Sequence, residues 1–378
     1  MKSLIVNENS IEDFILELDK IYKDNKPTLA FVFASSEFDI RKLVAELNRF
    51  DILVVGATTA GEVFANEELG VNSKEGTIVG LFLDINKDAL NLRFLQIEDE
   101  FFEAGSKIGK WAKESFESND SAIITTVSGL TFDNEGFING ILSEEIEYIF
   151  GGVAGDDLKL KETFVFTNEN FTSSGVVALA IDRSKIDIVG ARAFGWGGIS
   201  RDKIVTKAKD NIVYTIDNKP AVEFYHEYLS VTNDDMPQTG IEYPLEVHLE
   251  NGNIVYRAVL AINEEDGSLV FAGHVPERSR VKISAPAGES IIDEVGKSID
   301  NTLKTHQGFK PEVGLLFPCC SRKQVLGNFA IKEIEMAYNN VKVPLVGFYA
   351  YGEIGAFPGG DAFHNETFVT TLLANKKI

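Results

Sequence analysis

Cysteine is nearly missing: the 378 residues hold only Cys319 and Cys320, which are adjacent. Chain neighbours seldom meet the geometry an ordinary disulfide needs, so both are expected as reduced thiols. Long apolar runs are missing as well. No stretch reaches the ~18 residues that would cross a bilayer, and the first ten, MKSLIVNENS, carry too short an apolar core for a secretion signal. A cytoplasmic protein is expected. Clusters of basic residues are also absent. Against 58 acidic side chains stand 36 lysines and arginines, a formal charge of −22, which speaks against nucleic acid and anionic membrane as partners.

Several catalytic signatures are lacking too: there is no GxxxxGK[ST], GxSxG, HExxH or CxxC and no EF-hand loop. The glycines of GWGGIS (195–200) lack dinucleotide-fingerprint spacing. The five histidines are scattered, none three or four residues from another as a helical metal pair would be. No metal and no cofactor are expected.

What is present is an internal repeat. VGATTAGEV (55–63) aligns without a gap to VGFYAYGEI (346–354), and upstream PTLAFVFASS (27–36) lies over PEVGLLFPCC (311–320). A looser copy runs from SAIITTVSG (121–129) to IFGGVAGDD (149–157). Each copy reaches a further apolar run: GTIVGLFLD (76–84), GVVALAI (175–181) and ETFVTTLLA (366–374). The unit reads strand, helix, strand, glycine turn, strand. An apolar strand, a helix and a second apolar strand favour parallel pairing through a right-handed crossover, which brings the turns at the strand ends to one side. Glu62, Asp156 and Glu353 are therefore expected near one crevice.

The segments between roughly 186 and 284 read as β-rich, with Asn251-Gly252 a hairpin signal. The fold class expected is mixed α/β, with repeat strands in large sheets flanked by helices around a β-rich central segment. Layering as αββα is the alternative arrangement. A boundary is expected near residue 215, giving parts 1–215 and 216–378. No linker rich in Pro, Gly or Ser marks it, so the two parts should share an interface.

Arg322 falls in the first turn of a predicted helix, where a cation opposes the helix dipole and calls for an acidic partner. That partner is either Glu353 or a ligand carboxylate held by two hydrogen bonds. Tyr349 and Tyr351, two apart, would face one side of an extended segment and suit a small amphipathic ligand, or else pack in the core. Thr58 and Thr59 offer hydroxyls to a ligand or to the backbone. A Cys319 nucleophile with His364 as base is the enzymatic reading; a buried thiol at a strand end is the plainer one.

These residues carry a resemblance to the FIST family over nearly the whole chain. VVGATTAGEV, IFGGVAGDD and VTKAKDNIVYTIDNKPAVEFY resemble its N-terminal half; LLFPCCSRKQVLG and PLVGFYAYGEIG with the later FHNETF resemble its C-terminal half. Cys319, Arg322, Gly347, Tyr351, Gly352, Glu353, Asn365 and Thr367 stand at matching positions. Ala57 stands where the family often has cysteine. The resemblance implies a stand-alone sensory, signal-transducing protein binding a small ligand, an amino acid or similar carboxylate, and acting on a signalling partner. The ligand site would gather Cys319, Arg322, Tyr349, Tyr351, Glu353 and Asn365, with Thr59, Glu62 and Asp156 of the other copies nearby. A Cys319-dependent enzyme and a protein-interaction scaffold are the other readings.

Overall fold

The computed structural model describes residues 1–130, 132–236, 238–288, 290–356 and 361–376. Its architecture is mixed α/β: among the described residues there are three six-stranded sheets and one nine-stranded sheet, flanked by helices. The three six-stranded sheets share one pattern, and each is built on one copy of the repeat.

The first copy supplies strands Lys2–Glu8, Ile78–Asp84, Leu29–Ser35 and Leu53–Thr59, in that spatial order. Only the last two run parallel, with Ser35 opposite Thr59. The second copy repeats this order with Leu90–Gln96, Gly175–Asp182, Ser121–Val127 and Ile149–Val153. The third uses Ile186–Ala193, Phe368–Asn375, Val313–Pro318 and Leu345–Phe348. The parallel pair in each is the crossover that the strand-helix-strand pattern predicted.

Beyond the glycine turn each copy gives a hairpin away. Strands Glu62–Asn66 and Gly70–Lys74 extend the third copy's sheet, beside Leu345–Phe348. Strands Glu353–Ala356 and Phe363–His364 extend the second copy's sheet, beside Ile149–Val153. Strands Val165–Phe166 and Phe171–Thr172 close the cycle on the first. Each copy thus completes its neighbour's sheet edge, which would otherwise expose a row of unpaired amides.

Close backbone crossings explain two of the glycines. A Cβ on Gly347 would stand 1.7 Å from the Leu316 carbonyl oxygen, and one on Gly151 1.8 Å from that of Thr125. No side chain fits either place.

One face of each six-stranded sheet turns to a shared core that takes Phe33 from the first, Phe150 from the second and Phe317 and Phe348 from the third. The opposite faces are covered by helices: Ile11–Asn25 and Ile40–Leu47 on the first sheet, Phe101–Glu114 and Asn134–Leu142 on the second, Ser290–Thr305 and Ile331–Val341 on the third. Each helix presents an apolar stripe at 3.6-residue spacing, as Phe14 and Leu18 do on the first. Ala57 is fully buried in the shared core.

The β-rich expectation needs one adjustment. Strand Ile186–Ala193 is the first strand of the third copy, so the separate nine-stranded sheet runs from Trp196 to Pro286, inserted between that strand and helix Ser290–Thr305. Asn251-Gly252 lies in its hairpin, between Leu245–His248 and Ile254–Arg257. Thr215 lies inside strand Ile212–Ile216 of this insertion.

Candidate functional site

The three glycine turns are tied to one another in a ring of backbone hydrogen bonds. Ala60 and Tyr349 join the first and third, at 3.0 Å from the Ala60 amide to the Tyr349 carbonyl and 2.9 Å from the Tyr349 amide to the Gly61 carbonyl. Val153 exchanges amide and carbonyl with Gly352 and Tyr351, at 2.9 and 3.1 Å, joining second and third. The amides of Gly155 and Asp157 donate to the Thr58 and Thr59 carbonyls, each at 2.9 Å, joining second and first. The acid-bearing turns therefore converge, but their carboxylates are treated differently.

Glu62 is fully buried and fully served. One oxygen accepts from the Thr59 hydroxyl, and the other accepts from the Thr77 amide at 3.1 Å and hydroxyl at 2.8 Å. Asp156 is equally well held. It takes the amides of Leu160, Lys161 and Glu162 at 2.9, 2.6 and 3.0 Å, and the Tyr351 hydroxyl. Both acids are closed within the protein.

Glu353 is not. Its Oε2 accepts from the Thr367 amide at 3.0 Å, which reproduces the Glu62–Thr77 contact of the first copy. Its Oε1 is buried and has no partner. Both side-chain oxygens of Glu366, whose carboxyl acts on Glu353, are also buried without a partner at hydrogen-bond geometry, the Ser321 hydroxyl being the group beside them, and Oδ1 of the preceding residue, Asn365, is buried and unpartnered. The Cys319 thiol and the Glu366 carboxyl both act on Glu353, and Ser321 lies beside Cys319 and Glu366. Unpaired buried acceptors each cost about 1–3 kcal/mol, and several in one place mark a site with a purpose besides folding. Glu366 adds a second anomaly, a left-handed backbone at φ +59. A non-glycine residue there is uncommon and strained.

Burial sets the charge states. It raises the Glu353 carboxyl well above the usual range, with Cys319 adding to the effect. It also lifts Glu366 to about 8 and Glu62 to about 7. An acid so raised keeps its proton in the fold at pH values where the unfolded chain has lost it. Its contribution is fully present below the ordinary value of 4.5 and disappears as pH climbs through about 7 to 8. Thermal denaturation should thus show the melting temperature falling between pH 5 and 8.5, with a shallower fall in Glu366→Gln. A flat profile in the wild type, or an equal slope in the variant, would contradict this assignment.

Arg322 turns out differently from the sequence expectation. Its partner is Glu333, neither Glu353 nor a position open to a ligand: Nε donates to Glu333 Oε1 at 3.0 Å and Nη2 reaches the same oxygen. The remaining protons go to the carbonyls of Phe194, Ile291 and Glu366, the last two at 3.1 and 3.0 Å. All five N–H groups of the guanidinium are thereby used. Arg322 holds Glu366 by its backbone and ties helix Cys320–Leu326 to the third sheet.

The tyrosines separate. Tyr349 is fully buried in the third copy's helix-facing core, its ring under Lys323 and its hydroxyl 3.4 Å from Ser73. Half-buried Tyr351 sends its hydroxyl to Asp156. Cys319 sits at the start of its helix, buried, with burial and the neighbouring Cys320 pushing its thiol well above the ordinary value. That is the opposite of what a thiolate nucleophile needs. The His364 ring faces Arg192 and the carbonyls of Gly355 and Asp361, and its Nδ1 has no partner, so it does not pair with Cys319.

Two participants were passed over in the sequence. Glu333 lies eleven residues from Arg322 across two helices, and no periodicity joins them. Glu366 did leave a signal, since GTIVGLFLD laid over ETFVTTLLA places it on Gly76.

Comparison with known proteins supplies the family. A FIST N domain matches residues 28–219 and a FIST C domain residues 221–356. Protein MJ1623 of Methanocaldococcus jannaschii, itself uncharacterized, is 24% identical over 308 residues, covering 75% of this chain. The chain spans 57% of that relative's length. FIST domains are sensory domains of signal transduction. With both of its domains matched in order, the chain belongs to the FIST family.

Proposed function

We propose that this protein is a cytoplasmic small-ligand sensor, its two parts 1–215 and 216–378, and that the ligand docks at the third glycine turn among Cys319, Tyr351, Glu353, Asn365 and Glu366. The observation that carries this reading is the set of buried, unpartnered oxygens on Glu353, Asn365 and Glu366, while the corresponding acids of the other turns are satisfied. Buried polar groups are nearly always paired, so a molecule that pairs them is what the site is built to take. Arg322 positions Glu366, and Tyr349 supports the turn from the core. Thr59, Glu62 and Asp156 brace the third turn through the ring of turn-to-turn hydrogen bonds.

The ligand is small: an amino acid or another metabolite with a polar end. A signalling protein is the partner that would read the outcome, since the turns join all three sheets and a change at one reaches each of them. No described helix is long and apolar enough to cross a membrane.

A thermal-shift screen of amino acids and related metabolites tests the proposal. A ligand at 100 times its dissociation constant stabilises the native state by about 2.7 kcal/mol. At least one compound should raise the melting temperature of the wild type and do so less in Glu353→Gln. A screen in which every hit acts equally on both proteins would remove the third turn as the site.

A further inference from the structure

On the reading that the third turn is the ligand site, we propose that the chemical group it recognises is a primary ammonium. The inference comes from laying the first copy over the third. Ser35 opposite Thr59 in the first corresponds to Cys319 opposite Ala350 in the third. The Thr77 amide on Glu62 corresponds to the Thr367 amide on Glu353. With the two copies in register, three differences bear directly on the hydrogen bonds of the acid.

Where Thr59 gives its hydroxyl to Glu62, the third copy has Ala350, and Glu353 Oε1 is left without a donor. Where the Thr77 hydroxyl donates to Glu62, the Thr367 hydroxyl turns away to the Asn365 carbonyl at 2.9 Å. Where Gly76 sits at φ +67, the third copy keeps the left-handed turn, at φ +59, and places Glu366 in it. Two donors have been removed and one carboxyl added. A self-satisfied acid in the first copy has become, in the third, two buried carboxyls with unpartnered oxygens.

Such a cluster calls for a ligand group that donates several hydrogen bonds and carries positive charge, and an ammonium with three N–H bonds meets that demand. Among the described residues, Cys319, Ser321 and Tyr225 beside Glu366 are neutral and Glu353 is acidic, and Arg322 spends all five of its N–H groups on Glu333 and on the carbonyls of Phe194, Ile291 and Glu366 itself, none on the Glu366 carboxyl. A ligand carboxylate would find no unused cation here. Among the described residues no three His, Cys, Asp or Glu side chains are placed to hold a metal ion.

The test is thermal denaturation of the full chain with a matched set of probes: straight-chain primary alkylammonium chlorides, the sodium carboxylates of equal length, tetramethylammonium chloride, and potassium and magnesium chloride. Wild type should be stabilised, saturably, by the primary ammonium series alone. Ala350→Thr, which restores the missing hydroxyl, and Glu366→Gln, which removes the carboxyl able to ionise toward the ammonium, should each weaken the response at least tenfold. Stabilisation by carboxylates that is lost in Ala350→Thr would overturn the ammonium inference and leave the third turn as the site. An ammonium response unchanged in both variants places the binding elsewhere and overturns both. Equal responses to metal chlorides or tetramethylammonium, or no response to any probe, overturn the inference; the metabolite screen then decides the site separately.

Discussion

Arg322→Ala is expected to destabilise the protein by about 3–5 kcal/mol, the scale for breaking a buried ion pair from one side. The side chains of Arg322 and Glu333 are both fully buried, and removing the guanidinium leaves Glu333 with neither of its donors and three carbonyls without theirs. Glu333 would then take up a proton, since burial already raises its carboxyl and Arg322 is what holds it down. Replacing both residues by apolar ones of similar size, Arg322→Met with Glu333→Leu, should recover much of the loss, because neither partner is then stranded. Urea denaturation of the two single variants and the double settles it. A loss under about 1 kcal/mol for Arg322→Ala would mean that the guanidinium is not structural and is free for another partner.

Glu366→Gly is expected to move the other way. Glycine occupies the left-handed region without the roughly 1–2 kcal/mol that a side chain costs there, and the substitution removes a buried carboxyl whose two oxygens have no partners. Gains of this kind exceed the loss of side-chain packing, so a net stabilisation of about 1–3 kcal/mol should appear, together with loss of the ligand response. A residue that costs stability where the first copy's Gly76 costs none is what a site shaped for binding looks like. Denaturation of Glu366→Gly beside the wild type measures the first effect and the thermal-shift probes the second. A destabilised Glu366→Gly that still responds to ligand would show that Glu366 serves the fold.

The repeat unit was legible because its signals are local. Proline before an apolar strand, a helix of 3.6-residue period and a glycine turn recur in VGATTAGEV and VGFYAYGEI at the same spacing, and each crossover formed as its pattern predicts. The exchange of hairpins was not legible, because alternation along Glu62–Asn66 fixes which face is buried but says nothing of which sheet edge the strand will join. The same limit hid the partner of Arg322. Glu353 looked suitable from charge alone, while Glu333 became the partner only once two helices folded back on one another.

Within the site, Glu353, Cys319 and Asn365 could be picked out as unusual residues beside a glycine turn, but their meaning depends on what does not touch them. Oε1 of Glu353 is unpartnered because Ala350 replaces a threonine, a difference visible in the aligned repeats. Tyr349 and Tyr351 show the converse. Their two-residue spacing would put them on one side of an extended strand, yet the chain bends at Tyr351, and one ring enters the core while the other hydroxyl crosses to Asp156.

The central claim is that the third turn pairs its free carboxyls with a ligand cation, and carboxyl carbon NMR of protein labelled at the glutamate side chains reads this directly. Assignment comes from Glu353→Gln and Glu366→Gln. At neutral pH without ligand, the Glu366 resonance should lie toward the protonated position, with burial displacing Glu353 in the same direction. On titration with the most effective primary ammonium probe, both should move toward the ionised position, with the Glu62 resonance unchanged. Resonances of Glu353 and Glu366 that stay in place while the probe raises the melting temperature would contradict the account.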